Sequence, residues 1–226
     1  MQILYEDNHI IAVNKFPGEL VQGDKSGDSS LDKELKEYIK IKYKKPGDVY
    51  LGVVHRLDRP VSGVVLFART SKALVRLNKM FQDHTIKKTY WAITKQRPPT
   101  ESGTLTHYLT RDAEKNKSKA HESMKKGSKE AILSYEMLGA TKQYCLLEID
   151  LQTGRHHQIR AQLSKIGCPI KGDLKYGFNR SNKEGGIHLH ARKVQFVHPV
   201  SQENIEIRAS PPNENLWKEF INQFSN

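Results

Sequence analysis

Two short apolar runs, Ile10 to Val13 and Val64 to Ala68, frame the N-terminal part of the chain. Runs of this length, bounded by Gly, Asp and Pro and unbroken by polar residues, read as strands buried on both faces. Between them the Gly/Asp/Ser-rich stretch Gly18 to Ser30 reads as a loop. It ends where Ser30 caps a helix from Leu31 to about Tyr43, which Pro46-Gly47 closes. A second helix starts from a Ser71 cap, with Leu74, Leu77 and Phe81 at helical spacing. Lys88 to Ile93 returns to a strand pattern, as do 130–138, 144–151, 187–197 and 203–209. Several of these strands follow one another with no helix between, which predicts antiparallel pairing in an α+β fold and not a doubly wound parallel sheet.

Arg111 to Lys129 breaks the pattern, with seven Lys/Arg against three Asp/Glu and no aromatic residue. It reads as a mobile loop or insertion, which is either simply solvated or an arm that tracks phosphates. The 226 residues suffice for one sizeable core, and a single domain spanning 1–226 is expected. Their 37 Lys+Arg against 25 Asp+Glu leave a net charge of +12, which suits a phosphate-rich partner, nucleic acid first. An anionic membrane ranks second, because no stretch approaches the roughly 18 apolar residues of a spanning helix. Cys145 and Cys168 lie in apolar surroundings without CxxC spacing, and the N-terminus lacks a basic region followed by an apolar one. Both observations favour a reducing cytoplasm, and a monomer is expected there.

The chemistry concentrates in two segments. In His55-Arg56-Leu57-Asp58-Arg59-Pro60-Val61-Ser62-Gly63 an acid stands between two arginines at a Pro/Gly-marked bend, just ahead of a buried strand. Rigid backbone would hold the carboxylate at a sheet edge, and the arginines would attract phosphate. Read alone, the segment also fits an ordinary turn closed by a salt bridge. The second segment is Thr153-Gly154-Arg155-His156-His157-Gln158-Ile159-Arg160. There Arg155 is expected to open a helix running to about Ile166, with Gly167 as its stop. Arg155, Ile159, Gln162 and Ile166 would share a stripe, so Arg155 would sit at the edge of a buried face and need a carboxylate. Asp58 as that partner would explain both segments; a structural acid at the helix start would explain one.

At these residues the chain resembles the RluA-type pseudouridine synthases over nearly its whole length. The matching segments are IAVNKFPG (11–18), HRLDRPVSG, KTYWA (88–92), TGRHHQIR, GDLKYG (172–177) and LHARKVQFVHP (189–199). Val61 and Phe16 depart from the family's usual Thr and Pro. The chain is expected to start directly with the catalytic domain, and so to resemble the short subgroup without an S4 RNA-binding domain. The resemblance implies a bent, mostly antiparallel mixed sheet with flanking helices and a central RNA-binding cleft. It also implies conversion of uridine to pseudouridine in structured ribosomal or transfer RNA. It makes Asp58 the nucleophile, Tyr90 the residue that stacks on the base and helps remove the C5 proton, and Arg155 the basic partner of the acid. Arg56 would enter the space left by the flipped uridine. His55, Arg56, Arg59, His157 and Arg160 are the candidate RNA-binding residues.

The reaction breaks C1′–N1, turns the uracil and joins C5 to C1′ without redox change or outside nucleophile. One positioned carboxylate suffices, and neither cofactor nor metal is expected. His188 and His190 on one strand face, and His156 beside His157, lack a third ligand with its own spacing. Asp173 reads as part of a tight turn, Trp91 and Trp217 as core residues. Two other classes remain open on the residues: a catalytically inactive RNA-binding module, and a uracil-releasing RNA glycosidase. The first leaves an acid unexplained in a positive groove, the second lacks a paired acid.

Overall fold

A computed structural model describes residues 1–24 and 27–223, so Lys25 and Ser26 of the expected Gly18 to Ser30 loop lie outside the described residues. The strands are β1 (Gln2–Glu6), β2 (Ile10–Lys15), β3 (Gly52–Val53), β4 (Ser62–Ala68), β5 (Lys87–Thr94), β6 (Ser102–Asp112), β7 (Lys117–His121), β8 (Lys129–Ala140), β9 (Cys145–Leu151), β10 (Leu189–Val197) and β11 (Asn204–Arg208). The helices are α1 (Leu31–Lys42), α2 (Ser71–Gln82), α3 (Gln158–Lys165) and α4 (Asn215–Gln223). The chain divides into two compact units, Met1–Ile86 with Arg192–Ser210, and Lys87–Ala191 with Pro211–Asn226.

In the first unit β2 pairs antiparallel with β1 on one side and β4 on the other, from Ile10 opposite Ala68 to Lys15 opposite Gly63. One face of this sheet carries Ile10, Ala12, Val64, Leu66 and Ala68, which pack with Ala73 and Leu77 of α2 and with Val194, Phe196 and Ile207. Ile11, Val13, Val65 and Phe67 on the other face are equally buried. Burial on both faces is why these strands read as unbroken apolar runs. Helix α2 is capped one residue earlier than expected: Thr70 has extended backbone, and its Oγ1 accepts from Ala73 N at 3.2 Å. Ser30 does occupy the N-cap of α1, but its hydroxyl donates to Asp32 Oδ1 instead of capping the backbone. Helix α1 ends at Lys42, before Pro46, where Lys44 turns to φ +47°.

In the second unit the strand order is β5-β9-β8-β6-β7, every pair antiparallel. Trp91, Ile93 and Leu146 form a core with Trp217 and Phe220 of α4, so both tryptophans are core residues. The region 111–129, expected as a loop, contains β7 and the ends of β6 and β8. Its inward positions are Ser118 and Ala120, alternating with exposed Lys117 and Lys119. These small inward residues let α3 and Tyr176 come close, with Ala161 and Tyr176 packing on Leu109, Ala120 and Ala131. A strand whose buried side is Ser and Ala has no large apolar alternation to betray it.

Candidate active site

Asp58 lies half-buried in the loop between β3 and β4, and the first unit grips that loop at several points. At its start, His55 Nε2 accepts a hydrogen bond from Leu66 N of β4 at 3.0 Å, and its ring stacks on Phe81 with centroids 4.9 Å apart. Leu57 and Val61 are buried, and Val61 N donates to the Asp58 carbonyl at 3.0 Å. Gly18, at a φ of +90° that suits glycine, donates from N to the Arg59 carbonyl at 2.8 Å, and Arg59 Nε donates back to the Gly18 carbonyl at 3.0 Å. Beneath the loop lies Lys15, fully buried, whose Nζ donates to the carbonyls of Phe16, Arg59 and Val61 at 3.1, 2.9 and 2.7 Å. Burial pulls this ammonium down to about 8, against the opposing pull of Glu19 and Asp58.

The two arginines of the loop differ. Arg56 is exposed and reaches Gln22 Oε1 only at 3.5 Å, which leaves its guanidinium available to a ligand. Arg59 is also exposed, but its Nη2 is tied to Asp28 Oδ2 at 2.7 Å. His55 has one ring nitrogen committed to the β4 backbone, so it anchors the loop in addition to any contact with RNA.

In the second unit Tyr90 is a buried residue of β5, opposite Ile149 of β9. The TGRHHQIR segment is not helical at its start. Helix α3 begins at Gln158, and His157 precedes it at φ +52°. The Gln158 side chain organises the turn. Its Oε1 accepts from Arg155 N at 2.9 Å and from Thr153 Oγ1 at 2.7 Å, while its Nε2 donates to the Ile132 carbonyl at 3.1 Å. Arg155 is therefore outside the helical stripe expected for it. It is half-buried, donates from Nε to the Glu130 carbonyl at 2.8 Å, and makes no ion pair among the described residues. A guanidinium that keeps contact with solvent needs no buried carboxylate, so the expected pairing requirement falls away.

His157 and Arg160, expected to touch RNA, are buried instead, at 8% and 5% exposure. Arg160 forms a two-pronged ion pair with buried Asp173, Nε to Oδ2 at 2.7 Å and Nη2 to Oδ1 at 2.9 Å. This pair occupies Arg160 Nε and Nη2 with the Asp173 carboxylate inside the fold. Tyr176 OH accepts from Ser118 N at 2.8 Å and lies within hydrogen-bond distance, 2.9 Å, of His157 Nδ1. Burial, aided by Arg160, pushes His157 down to about 3. These residues link β7, α3 and the Leu174–Tyr176 turn into one block behind Arg155. Sequence did not show that they face inward, because Arg and His in a motif of this kind look like ligand-binding groups. Lys15 and Gln158 lie within IAVNKFPG and TGRHHQIR, but the pattern does not give their roles, since what a buried polar residue does is recognised only by its partners.

The second unit also holds a groove of about 710 Å³ between the β6–β7 hairpin and α3, lined by Lys115, Lys117, Lys119, Lys165, Ser118 and Tyr176 among others. Asp112 also lines it, with Lys115 3.8 Å from Asp112 and Lys165 3.0 Å from Glu122, so the positive charge it offers to phosphates comes chiefly from Lys117 and Lys119. Among the described residues no three His, Cys, Asp or Glu groups are gathered as a metal site, and no helix is long and apolar enough to cross a membrane. His188 is buried against Trp217 with Nε2 3.2 Å from Glu214 Oε2, and burial lowers its proton affinity.

A family model described as RNA pseudouridylate synthase matches residues 9–165. A tRNA pseudouridine synthase C of Vibrio parahaemolyticus is 32% identical, over 99% of this chain and 95% of its own length. The ribosomal large subunit pseudouridine synthase D of Zymomonas mobilis is 31% identical, over 95% of this chain and 70% of its own. In three dimensions the chain is similar to human RNA pseudouridylate synthase domain containing 4, with a TM-score of 0.79 at 23% identity, covering 99% of this chain and 93% of that one.

Proposed function

We propose, for a chain that belongs to the RNA pseudouridylate synthase family and is thus an isomerase acting on uridine in RNA, that Asp58 is its nucleophile. Tyr90 stacks on the extruded uracil and assists loss of the C5 proton. Arg155 is the basic group that partners the acid during the reaction, and Arg56 fills the space the uridine leaves. The observation that supports this reading is the rigidity around Asp58: Lys15 ties the carbonyls on both sides of the bend, at Phe16, Arg59 and Val61, to one buried ammonium. A carboxylate on such a loop is pre-positioned, which is what a single-carboxylate mechanism needs.

Atoms balance without a cofactor. The C1′–N1 bond breaks, the uracil turns, C5 bonds to C1′, and the C5 proton is lost as N1 gains one. Arg155 retains two Nη groups without hydrogen bonds among the described residues, so its donors are available during this sequence. Arg56 and the lysine-lined groove hold the phosphodiester backbone.

Transfer RNA is the favoured substrate, because the match to a tRNA enzyme extends over nearly the whole length of both chains. The protein works as a monomer in the cytoplasm, where its two buried thiols stay reduced. The test is to incubate the protein with unmodified bulk tRNA and, separately, with unmodified ribosomal RNA, and to map pseudouridine in each. New pseudouridine in tRNA with no release of uracil is expected. Modification of ribosomal RNA alone would move the substrate, and free uracil would replace isomerisation by glycosidic cleavage.

A further inference from the structure

Lys88 is two residues before Tyr90 on β5, so the two side chains leave the same face of the strand. It is only 8% exposed, and among the described residues its ammonium makes no hydrogen bond and no ion pair. The stem is enclosed while Nζ itself keeps a small opening to solvent, so the ammonium is only partly hydrated and has no protein acceptor to make up the difference. Burial accordingly pulls Lys88 below the usual lysine range, and only exposed Asp150 on β9 pulls the other way. An approach to it lies at the neighbouring turn. Gly154 of the Thr153-Gly154-Arg155 turn is exposed, and a Cβ placed there would meet Lys88 Nζ at 3.8 Å. The missing side chain at Gly154 thus leaves a path from solvent to an ammonium that lacks a partner.

We propose that Lys88 is a substrate-binding residue that takes an anionic phosphate oxygen of the RNA beside the nucleotide received by Tyr90. This rests on the reading of Tyr90 given above. A phosphodiester supplies both the charge and the acceptors that the protein withholds, so the cost of keeping Lys88 bare is recovered when RNA binds. A lysine kept for packing alone would show the opposite energetics, because its removal would leave a hole without relieving a charge.

The experiment combines thermal melting of the free protein with binding to bulk tRNA across a salt series, for the wild type, Lys88→Met, Lys88→Arg and Gly154→Ala. Lys88→Met is expected to melt at or above the wild-type temperature, to bind tRNA about tenfold more weakly, and to lose ~0.7–0.9 from its log–log salt slope. Lys88→Arg should recover most of that slope. Gly154→Ala, which adds one methyl group over Nζ, should weaken tRNA binding with an unchanged melting temperature. An unchanged slope in Lys88→Met, or a lower melting temperature with wild-type affinity, overturns the proposal; so does wild-type binding by Gly154→Ala. If the wild type makes no pseudouridine in the parallel assay, the catalytic reading fails while the salt slopes still decide the role of Lys88.

Discussion

Lys15 Nζ donates a 2.9 Å hydrogen bond to the carbonyl of Arg59, the residue that follows Asp58. Two further bonds from the same nitrogen reach Phe16 and Val61, so one buried cation holds the backbone on which the acid is presented. Lys15→Met keeps much of the volume but strands three buried or half-buried carbonyls. It should destabilise the protein by about 2–4 kcal/mol, and isomerisation should fall even at temperatures where the variant is folded. Chemical denaturation together with single-turnover assays checks both. A stable variant with wild-type turnover would reduce Lys15 to a filler of the core.

Asp58→Asn should abolish pseudouridine formation and leave RNA affinity equal or slightly better, because it removes the nucleophile together with a negative charge from a surface that binds phosphate. Product mapping and a binding isotherm on the same RNA separate the two effects. Retained product would remove Asp58 from the chemistry.

Tyr90 offers a ring and a hydroxyl that are separable. Tyr90→Phe should bind RNA normally and complete the early steps, yet slow release of the C5 proton, so an intermediate accumulates. Tyr90→Leu should also weaken binding, by up to the ~1–3 kcal/mol of a lost base–aromatic stack. Tritium release from C5-labelled RNA follows the late step directly. Wild-type rates in the Phe variant would show that the hydroxyl takes no part.

His157 makes the fold acid-sensitive in a defined direction. Its imidazole is held down to about 3 in the folded chain, by burial first and Arg160 second, against ~6.5 when unfolded. As pH drops below about 6.5 the unfolded chain takes up a proton that the folded chain refuses, so this contribution to stability declines steadily toward pH 3. His157→Asn suits the φ of +52° at this position and carries no titrating ring. Its melting temperature should fall less steeply than that of the wild type between pH 7 and pH 4.5. Parallel curves would show that His157 titrates alike in both states.

The lysines of the β6–β7 hairpin should track phosphates. Replacing Lys115, Lys117 and Lys119 with Gln should lower the log–log salt slope of tRNA binding by ~0.7–0.9 for each phosphate no longer neutralised, with little change in melting temperature because all three are exposed. An unchanged slope would make that wall of the groove a solvated face.

Sequence pattern alone determined the strands whose buried side is large and apolar. β2 and β4, buried on both faces, could only be strands at that length, and antiparallel order was legible where strands follow one another with no helix between, as β8 and β9 do. Asp58, Tyr90 and Arg155 were singled out in the sequence because HRLD, KTYWA and TGRHHQIR resemble the family's motifs, and their roles are proposals. Tertiary structure decided what pattern does not encode, namely which polar groups are paired. It turned Arg160 inward onto Asp173, set Arg155 ahead of α3 instead of on it, and made a strand of Lys117–His121 by covering Ser118 and Ala120 with Tyr176 and α3. It also put Lys15 under the loop that carries Asp58. The physical reason is common to all of these: burial of an apolar side chain leaves a period in the sequence, whereas a buried polar or charged side chain depends on partners distant in the chain, as Val61 is from Lys15.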